Sequence, residues 1–500
     1  MNLKKTLALS LAISCLSLPA PSLATEPAVS VVKSAVSVAE SAVSVAKSAE
    51  TKPRQEQAKF DKERGKPRPE QAKFDKERGE TGKEQARFDK EKGKSGKEQV
   101  KPASSFNIGK VKGGPLVEKY LITGKLADGE AALLQELAAH ENNDQVRFGL
   151  GILQFLQAFE GLEQDLSRYG LKEAVTRGVR PLPRLPVPTN LEPEKISYEK
   201  LREVAERFSK KLAQAEASLA AIKDEKVKLS LHFGLIRLDL NGDGEASEEE
   251  TLWKQYASLS RNTGVSSDKA AGFYISFDRG DVHWLRGYCH LIGAFPEMYL
   301  AHDSRELFER TAHLLFSRVE SPYGFLAAGK QVHPLGESFD AADLIAAIHL
   351  INCPVVEPKR METALHHFEA VVSESRVSWQ YILAETDDDH EWLPNPNQTG
   401  VIPNVRVTKE MVQSWSEVMN EVEQLLAGKL LLPFWRGEEP VGINVRKVFL
   451  EPRTFDLVLW VQGTAAAPYL ERGERTRKDT WTRLMRDFGG HFPGFAFWFN

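Results

Sequence analysis

The chain is poor in sulfur, with three cysteines and six methionines in 500 residues. Cys15 falls in an N-terminal leader, which leaves Cys289 and Cys353 as the thiols of the mature protein. Two cysteines cannot staple a fold of this size, so a disulfide scaffold is excluded and burial of apolar surface has to supply the stability. Beyond the first two dozen residues no apolar run approaches the roughly 20 residues of a membrane-spanning helix. The motifs of familiar hydrolases are missing too. There is no His-Glu-x-x-His segment and no pair of cysteines at zinc-ligand spacing. Gly336-Glu337-Ser338-Phe339-Asp340 lacks the last glycine of a Gly-x-Ser-x-Gly elbow, which excludes a serine hydrolase of that kind. Charge of one sign is also lacking overall, the formal net charge being -4.

What is present is enough apolar residue, 41% against 27% charged, to fold most of the chain. Met1-Asn2-Leu3-Lys4-Lys5, the apolar stretch Leu7 to Leu18 and Ser22-Leu23-Ala24 have the three parts of a secretory signal peptide, so residues 1–24 are expected to be removed. The short apolar part has a bacterial look, and the expected destination is the periplasm or the exterior. Ala12-Ile13-Ser14-Cys15 offers a lipoprotein box as the lesser alternative, with Ala12 where leucine is usual.

Residues 25–105 form a low-complexity arm of two repeats. Heptads run from Val29 to Ala49, but Val, Ser and Ala bury little and propagate helix poorly, so a mobile tether is expected in place of a coiled coil. A period of 14 follows, in which Glu56 to Gly65 recurs as Glu70 to Gly79 and Glu84 to Gly93 before fading at Glu98-Gln99. One phenylalanine per repeat cannot make a core, and the arm is expected to be disordered. Between Thr51 and Lys101 there are 17 Lys or Arg against 11 Asp or Glu, a local +6 that leaves -10 elsewhere. A cell-envelope polyanion is therefore a candidate partner of the arm, nucleic acid is not, and no transmembrane span is expected in the mature chain.

From Phe106 the spacing of apolar residues becomes mostly helical, and the fold class expected is mainly α. Residues 106–432 are expected to form a helical body. Val146, Leu150, Leu153, Leu156, Phe159, Leu162, Leu166 and Tyr169 mark one long helix ending near Gly170; Leu201, Val204, Phe208, Leu212, Ala215, Leu219 and Ile222 mark a second. Pro181 to Pro188 interrupts between them. Further helices are expected at 283–300, 304–318, 340–351, 360–383 and 408–429. Residues 433–500 are expected to be an α/β segment, with a small β-hairpin formed by 443–450 and 455–461 on their β-branched and aromatic content.

One segment carries specific chemistry. In Asp239-Leu240-Asn241-Gly242-Asp243-Gly244-Glu245-Ala246-Ser247-Glu248-Glu249-Glu250, oxygen donors recur at alternate positions, a glycine stands at the sharp turn and a glutamate closes the run. The segment resembles the twelve-residue calcium loop of the EF-hand family. The resemblance implies calcium as the cofactor, held by the side chains of Asp239, Asn241 and Asp243, the carbonyl of Glu245, Ser247 through water, and both oxygens of Glu250. It also implies a helix-loop-helix, with Val227, Leu231, Leu235 and Leu238 facing the core before the loop and Leu252, Tyr256 and Leu259 after it, although 227–233 alternates equally well as a strand. Ala246 departs from the family, which has Ile, Leu or Val there to pair with a second hand, and no second loop matches. A lone hand in an exported protein is expected to use calcium as a structural brace.

Other clusters are read more plainly. His283, His290, His302, His313, His333, His349, His366, His367 and His390 are taken as scattered, although His283 and His290 share a helical face. Asp387, Asp388, Asp389 and Glu391 beside Trp392 are taken as a solvated acidic loop; as the alternative, they and nearby histidines would form the cleft of an exported hydrolase-like enzyme. Whether Cys289 and Cys353 pair is left open. Arg279-Gly280-Asp281 is expected to open a helix, and Phe492 to Phe499 to pack as a terminal strand; a surface adhesion or scaffold role would need the arm or this tail to retain the protein on cells. Mass spectrometry of the exported protein should find Thr25 at the N-terminus; an intact Met1 or an acylated Cys15 would contradict the leader reading.

Overall fold

The computed structural model describes residues 114–172, 187–260, 270–328, 341–402, 406–438 and 440–488. The leader, both repeats of the arm, most of the proline run, residues 336–340, His333 and the terminal aromatic cluster lie outside these. The described part is mainly helical. Among the described residues no helix is long and apolar enough to cross a membrane.

Helices α1 (Glu118–Thr123), α2 (Leu126–Ala139) and α3 (Asp144–Arg168) open the body, followed by α4 (Tyr198–Ala220). Asn143 starts α3 by accepting the N–H of Val146, and Ser197 starts α4 by accepting that of Lys200, each supplying an acceptor to a first-turn donor the helix itself leaves unpaired. The stripes read from the sequence are the faces that pack: Leu150, Leu153 and Leu156 of α3 and Leu212, Ala215 and Leu219 of α4 are buried in one core. Gly151 permits the close approach, since a Cβ there would lie 2.5 Å from the side chain of Leu219.

After the 239–250 loop come α5 (Leu252–Ser260), α6 (Arg279–Ala301), α7 (Arg305–Leu315), α8 (Phe325–Ala328), α9 (Ala341–Leu350), α10 (Pro358–Ala384) and α11 (Lys409–Leu426). Asp278 caps α6, accepting from Gly280 and Asp281, and Asp281 accepts the Asp278 N–H in return, so the Arg279-Gly280-Asp281 tripeptide does open a helix. Helix α6 lies between α4 and α10 and is largely buried, with Leu285, Tyr288, Ile292 and Ala294 in the main core. Cys289 and Cys353 are both buried and free.

Two segments differ from expectation. The stretch before the loop is strand β1 (Leu229–Leu231), antiparallel to β2 (Ile275–Phe277) with Leu229 opposite Phe277, followed by a single 3-10 turn at Phe233–Leu235. Val227, Leu229 and Leu231 are buried together, the period of a strand. Near the C-terminus the chain forms small antiparallel sheets, but 445–450 and 457–462 are helices α12 (Val445–Leu450) and α13 (Leu457–Gln462), capped by Asn444 and Asp456. The strands there are β4 (Leu432–Pro433), β5 (Val441–Ile443) and β7 (Leu470–Arg472), with β3 (Asn352–Cys353) paired to β6 (Phe455–Asp456). Two capping residues in front of short apolar runs outweigh β-propensity. Helix α14 (Lys478–Asp487) then packs on α11.

Glu163 on α3 is buried with one carboxylate oxygen unpartnered, and burial pushes it up to about 8. The folded chain therefore keeps a proton that the unfolded chain releases near 4.5; that contribution to stability is full below pH 4.5 and is lost as pH rises through 8. Glu163→Gln should gain on the parent by about 2 to 4 kcal/mol between pH 5 and pH 9, read from denaturant unfolding at both values. Parallel pH dependence in the two proteins would contradict this.

Candidate metal centre

The 239–250 loop is held at its neck. The Leu252 N–H donates to the Ile236 carbonyl at 2.9 Å and that of Leu238 to the Glu250 carbonyl at 3.3 Å, on either side of an antiparallel bridge between Arg237 and Thr251. Ile236, Leu238 and Leu240 alternate into the core, so Arg237 and Asp239 turn the other way. The neck brings the beginning and the end of the loop together.

Within the loop, short polar side chains bind backbone donors a few residues on. Asp239 accepts the N–H of Gly242 at 2.8 Å on one oxygen and that of Gly244 at 3.0 Å on the other. Asn241 accepts from Asp243 and Asp243 from Glu245, each at 2.8 Å. Gly242 and Gly244 take φ of +75° and +91°, a region that side chains disfavour and this tight turn needs. Glu250 is buried and folds back across the loop: one oxygen accepts the Leu240 N–H at 2.9 Å and the other both the N–H and the hydroxyl of Ser247 at 2.8 Å. It completes a capping box on the turn Glu248–Glu250. Residues 241–245 are exposed.

Of the residues expected to ligate, Asp239 and Glu250 are thus brought to neighbouring positions at the neck, Asn241, Asp243 and Glu245 lie on the exposed turn, and Ser247 is tied to Glu250. The donor set is oxygen throughout and includes three carboxylates among the side-chain ligands, the chemistry a hard cation such as calcium takes. After the loop Leu252 is buried, as expected; the side chains of Tyr256 and Leu259 lie outside the description.

The loop is entered by a strand and a 3-10 turn, and it rests on other parts of the body. Glu160 on α3 accepts the Asp239 N–H at 2.8 Å, and Gln164, one turn on, donates to the Asp239 carbonyl at 2.6 Å. Burial, joined by the charges of Asp239 and Glu250, raises Glu160 to about 7. On the other side, the Arg237 N–H donates to the Leu121 carbonyl at the end of α1. Gly124, which ends α1 at φ +68°, faces Ala246 so closely that a Cβ on it would lie 2.0 Å from the alanine Cβ. This contact gives the departure at Ala246 its physical reason: a branched residue there would meet the end of α1. No pattern in the sequence marked Glu160, Gln164 or Gly124, because each lies 75 residues or more from its partner.

Among the described residues, the 387–391 loop does not gather the histidines outside it. Lys228 pairs with Asp387, Asp388 accepts the Thr399 N–H, and exposed His390 meets Asp389. Glu391 is buried, with oxygens of Asp278, Glu385 and Glu391 within 4.8 Å of one another. Burial first, then contact with Asp278, raises Glu385 to about 10; burial raises Glu391 to about 7. Asp278 is committed to capping α6 and Glu391 accepts the Asp389 N–H, so this cluster has internal structural work to satisfy. His283 goes instead to Glu374 at 2.6 Å, and His302 to the Met298 carbonyl. His283 and His290 share a face of α6 but meet different partners.

No protein-family model matches the chain, and comparison with curated proteins and with solved structures finds no match.

The docking of Ala246 on Gly124 should make both positions intolerant. Ala246→Ile and Gly124→Ala should each cost about 1 to 3 kcal/mol in thermal unfolding. Midpoints unchanged by either substitution would mean that the loop does not rest on α1.

Proposed function

We propose that the protein is an exported calcium-binding protein in which the 239–250 loop takes one calcium ion and uses it as a brace. The ligands are Asp239, Asn241, Asp243, the carbonyl of Glu245, Ser247 through water, and Glu250. The observation that carries the reading is the neck: it sets the first and last ligand side by side, with the remaining oxygens on the turn between them. Export follows from the leader, and the basic arm would draw the protein to a polyanion of the cell envelope.

A structural role fits better than a sensor role. Sensor hands open by moving one helix against another, with a second hand to register the change. Here the loop is entered by a strand and a 3-10 turn and is pinned to α1 by a backbone bond and to α3 by the side chains of Glu160 and Gln164. Calcium would relieve repulsion among Asp239, Asp243 and Glu250 and hold this corner to the body. At about 10 to 100 times Kd the gain is roughly 1 to 3 kcal/mol.

Millimolar calcium should therefore raise the melting temperature of the mature protein, and Asp239→Ala or Glu250→Gln should abolish the rise. Magnesium should do less, since it wants a tighter octahedron and gives up its waters reluctantly. Calorimetry with no heat of calcium binding, together with an unchanged melting curve, would reduce the loop to an acidic turn.

A further inference from the structure

Along the seam between α4, α6 and α10, two imidazoles face each other. His290 on α6 and His367 on α10 bring their Nδ1 atoms to 3.0 Å. On the far edge of the first ring, His290 Nε2 stands 3.6 Å from a carboxylate oxygen of Glu216 on α4, and that same oxygen accepts two hydrogen bonds from Arg286 at 2.9 and 3.0 Å. The rings border a cavity of about 80 Å³ that Ser209, Leu212, Cys289 and Gly293 also line. Gly293 lets the His367 ring lie against α6, because a Cβ there would come to 3.3 Å from its Cε1.

We propose that His290 and His367 form a second metal site, which takes a divalent transition-metal ion of the zinc kind through the two facing Nδ1 atoms, with Glu216 as the positioning residue of His290. Three observations support it. Two nitrogens bound to one tetrahedral ion at about 2.0 to 2.1 Å stand about 3.3 Å apart, close to the separation already present. A metal-bound imidazole characteristically turns its other nitrogen toward a carboxylate, and His290 does so toward Glu216. The adjoining cavity leaves room for the waters that complete a coordination shell. In the metal-free protein one proton sits between the two Nδ1 atoms; the ion replaces it, and the proton passes to His367 Nε2 or to solvent. Nitrogen donors separate this site from the oxygen loop at 239–250, and neither proposal depends on the other.

The test uses the mature chain. Crystals grown with equimolar zinc should give an anomalous peak at the zinc edge between His290 and His367; a map with no peak there overturns the proposal without any substitution. In solution, zinc titrations in a Glu250→Gln background, which silences the calcium loop, should show His367→Gln weakening binding at least tenfold and Glu216→Gln weakening it 10- to 100-fold. Cobalt bound in place of zinc should show visible absorption that His367→Gln removes. If Glu216 were only structural, Glu216→Gln would lower the metal-free melting temperature and leave zinc affinity unchanged, which removes it as the positioning residue. Zinc affinity unaffected by His367→Gln would overturn the site.

Discussion

Helix α6 is enclosed along its length, and a charged side chain on an enclosed helix has to find its partner on a neighbour or remain unpaired away from water. Arg286 reaches both Glu216 of α4 and Glu374 of α10, His283 reaches Glu374, and Glu297 meets Ser209 of α4 and Arg360 of α10. Sliding any one of the three helices by a turn would separate several of these pairs at once. The apolar face supplies the attraction between the helices, and the polar seam fixes their register. His290 and His367 belong to this seam, which is why their separation is set by the packing of two long helices and not by a loop.

The 239–250 segment obeys a different constraint. Its side-chain oxygens are spent on backbone donors a few residues away, so the loop has its shape from local hydrogen bonds, while its attachment comes from residues far off in sequence: Glu160, Gln164, Leu121 and Gly124. A paired hand would bury a branched residue at position 246 against its twin. This loop instead presents alanine to the end of α1, where only a small side chain fits. The alanine at position 246 is thereby accounted for by the surface the loop rests on.

Helices α3 and α4 were legible because their burial is one-sided and a stripe at three- and four-residue spacing marks it. Helices α6, α10 and α11 were expected at 283–300, 360–383 and 408–429 and lie within a few residues of those bounds. Where the segment is short, the signal fails. Residues 227–240 carry apolar side chains that satisfy a helical and an alternating pattern alike, and pairing with β2, which starts 44 residues after β1 ends, decides for the strand. At 443–462 the β-branched content pointed to strands, yet Asn444 and Asp456 each stand before an apolar run and cap a helix, a signal that was available in the sequence. The twelve-residue loop was legible as a motif because its chemistry is local. The pairing of His290 with His367 was not, since no spacing within one chain segment encodes a meeting across two helices.

The two candidate sites differ in what holds their donors before any ion arrives. In the loop the candidate donors are oxygens kept close by N–H donors, with 241–245 exposed on the turn and Glu250 buried at its base. In the seam the donors are two imidazole nitrogens already 3.0 Å apart, and the framework around them includes the partly buried ion pairs of Arg286 with Glu216 and Glu374. A hard cation gains little from nitrogen, and a zinc-type ion meets only oxygens, partly claimed by backbone donors, at the loop. Selectivity between the sites therefore lies in donor type. Rigidity sets them apart as well: His290 stands beside the Glu216 carboxylate that Arg286 also holds, so its place is tied to the same contacts that fix the register of α4 against α6.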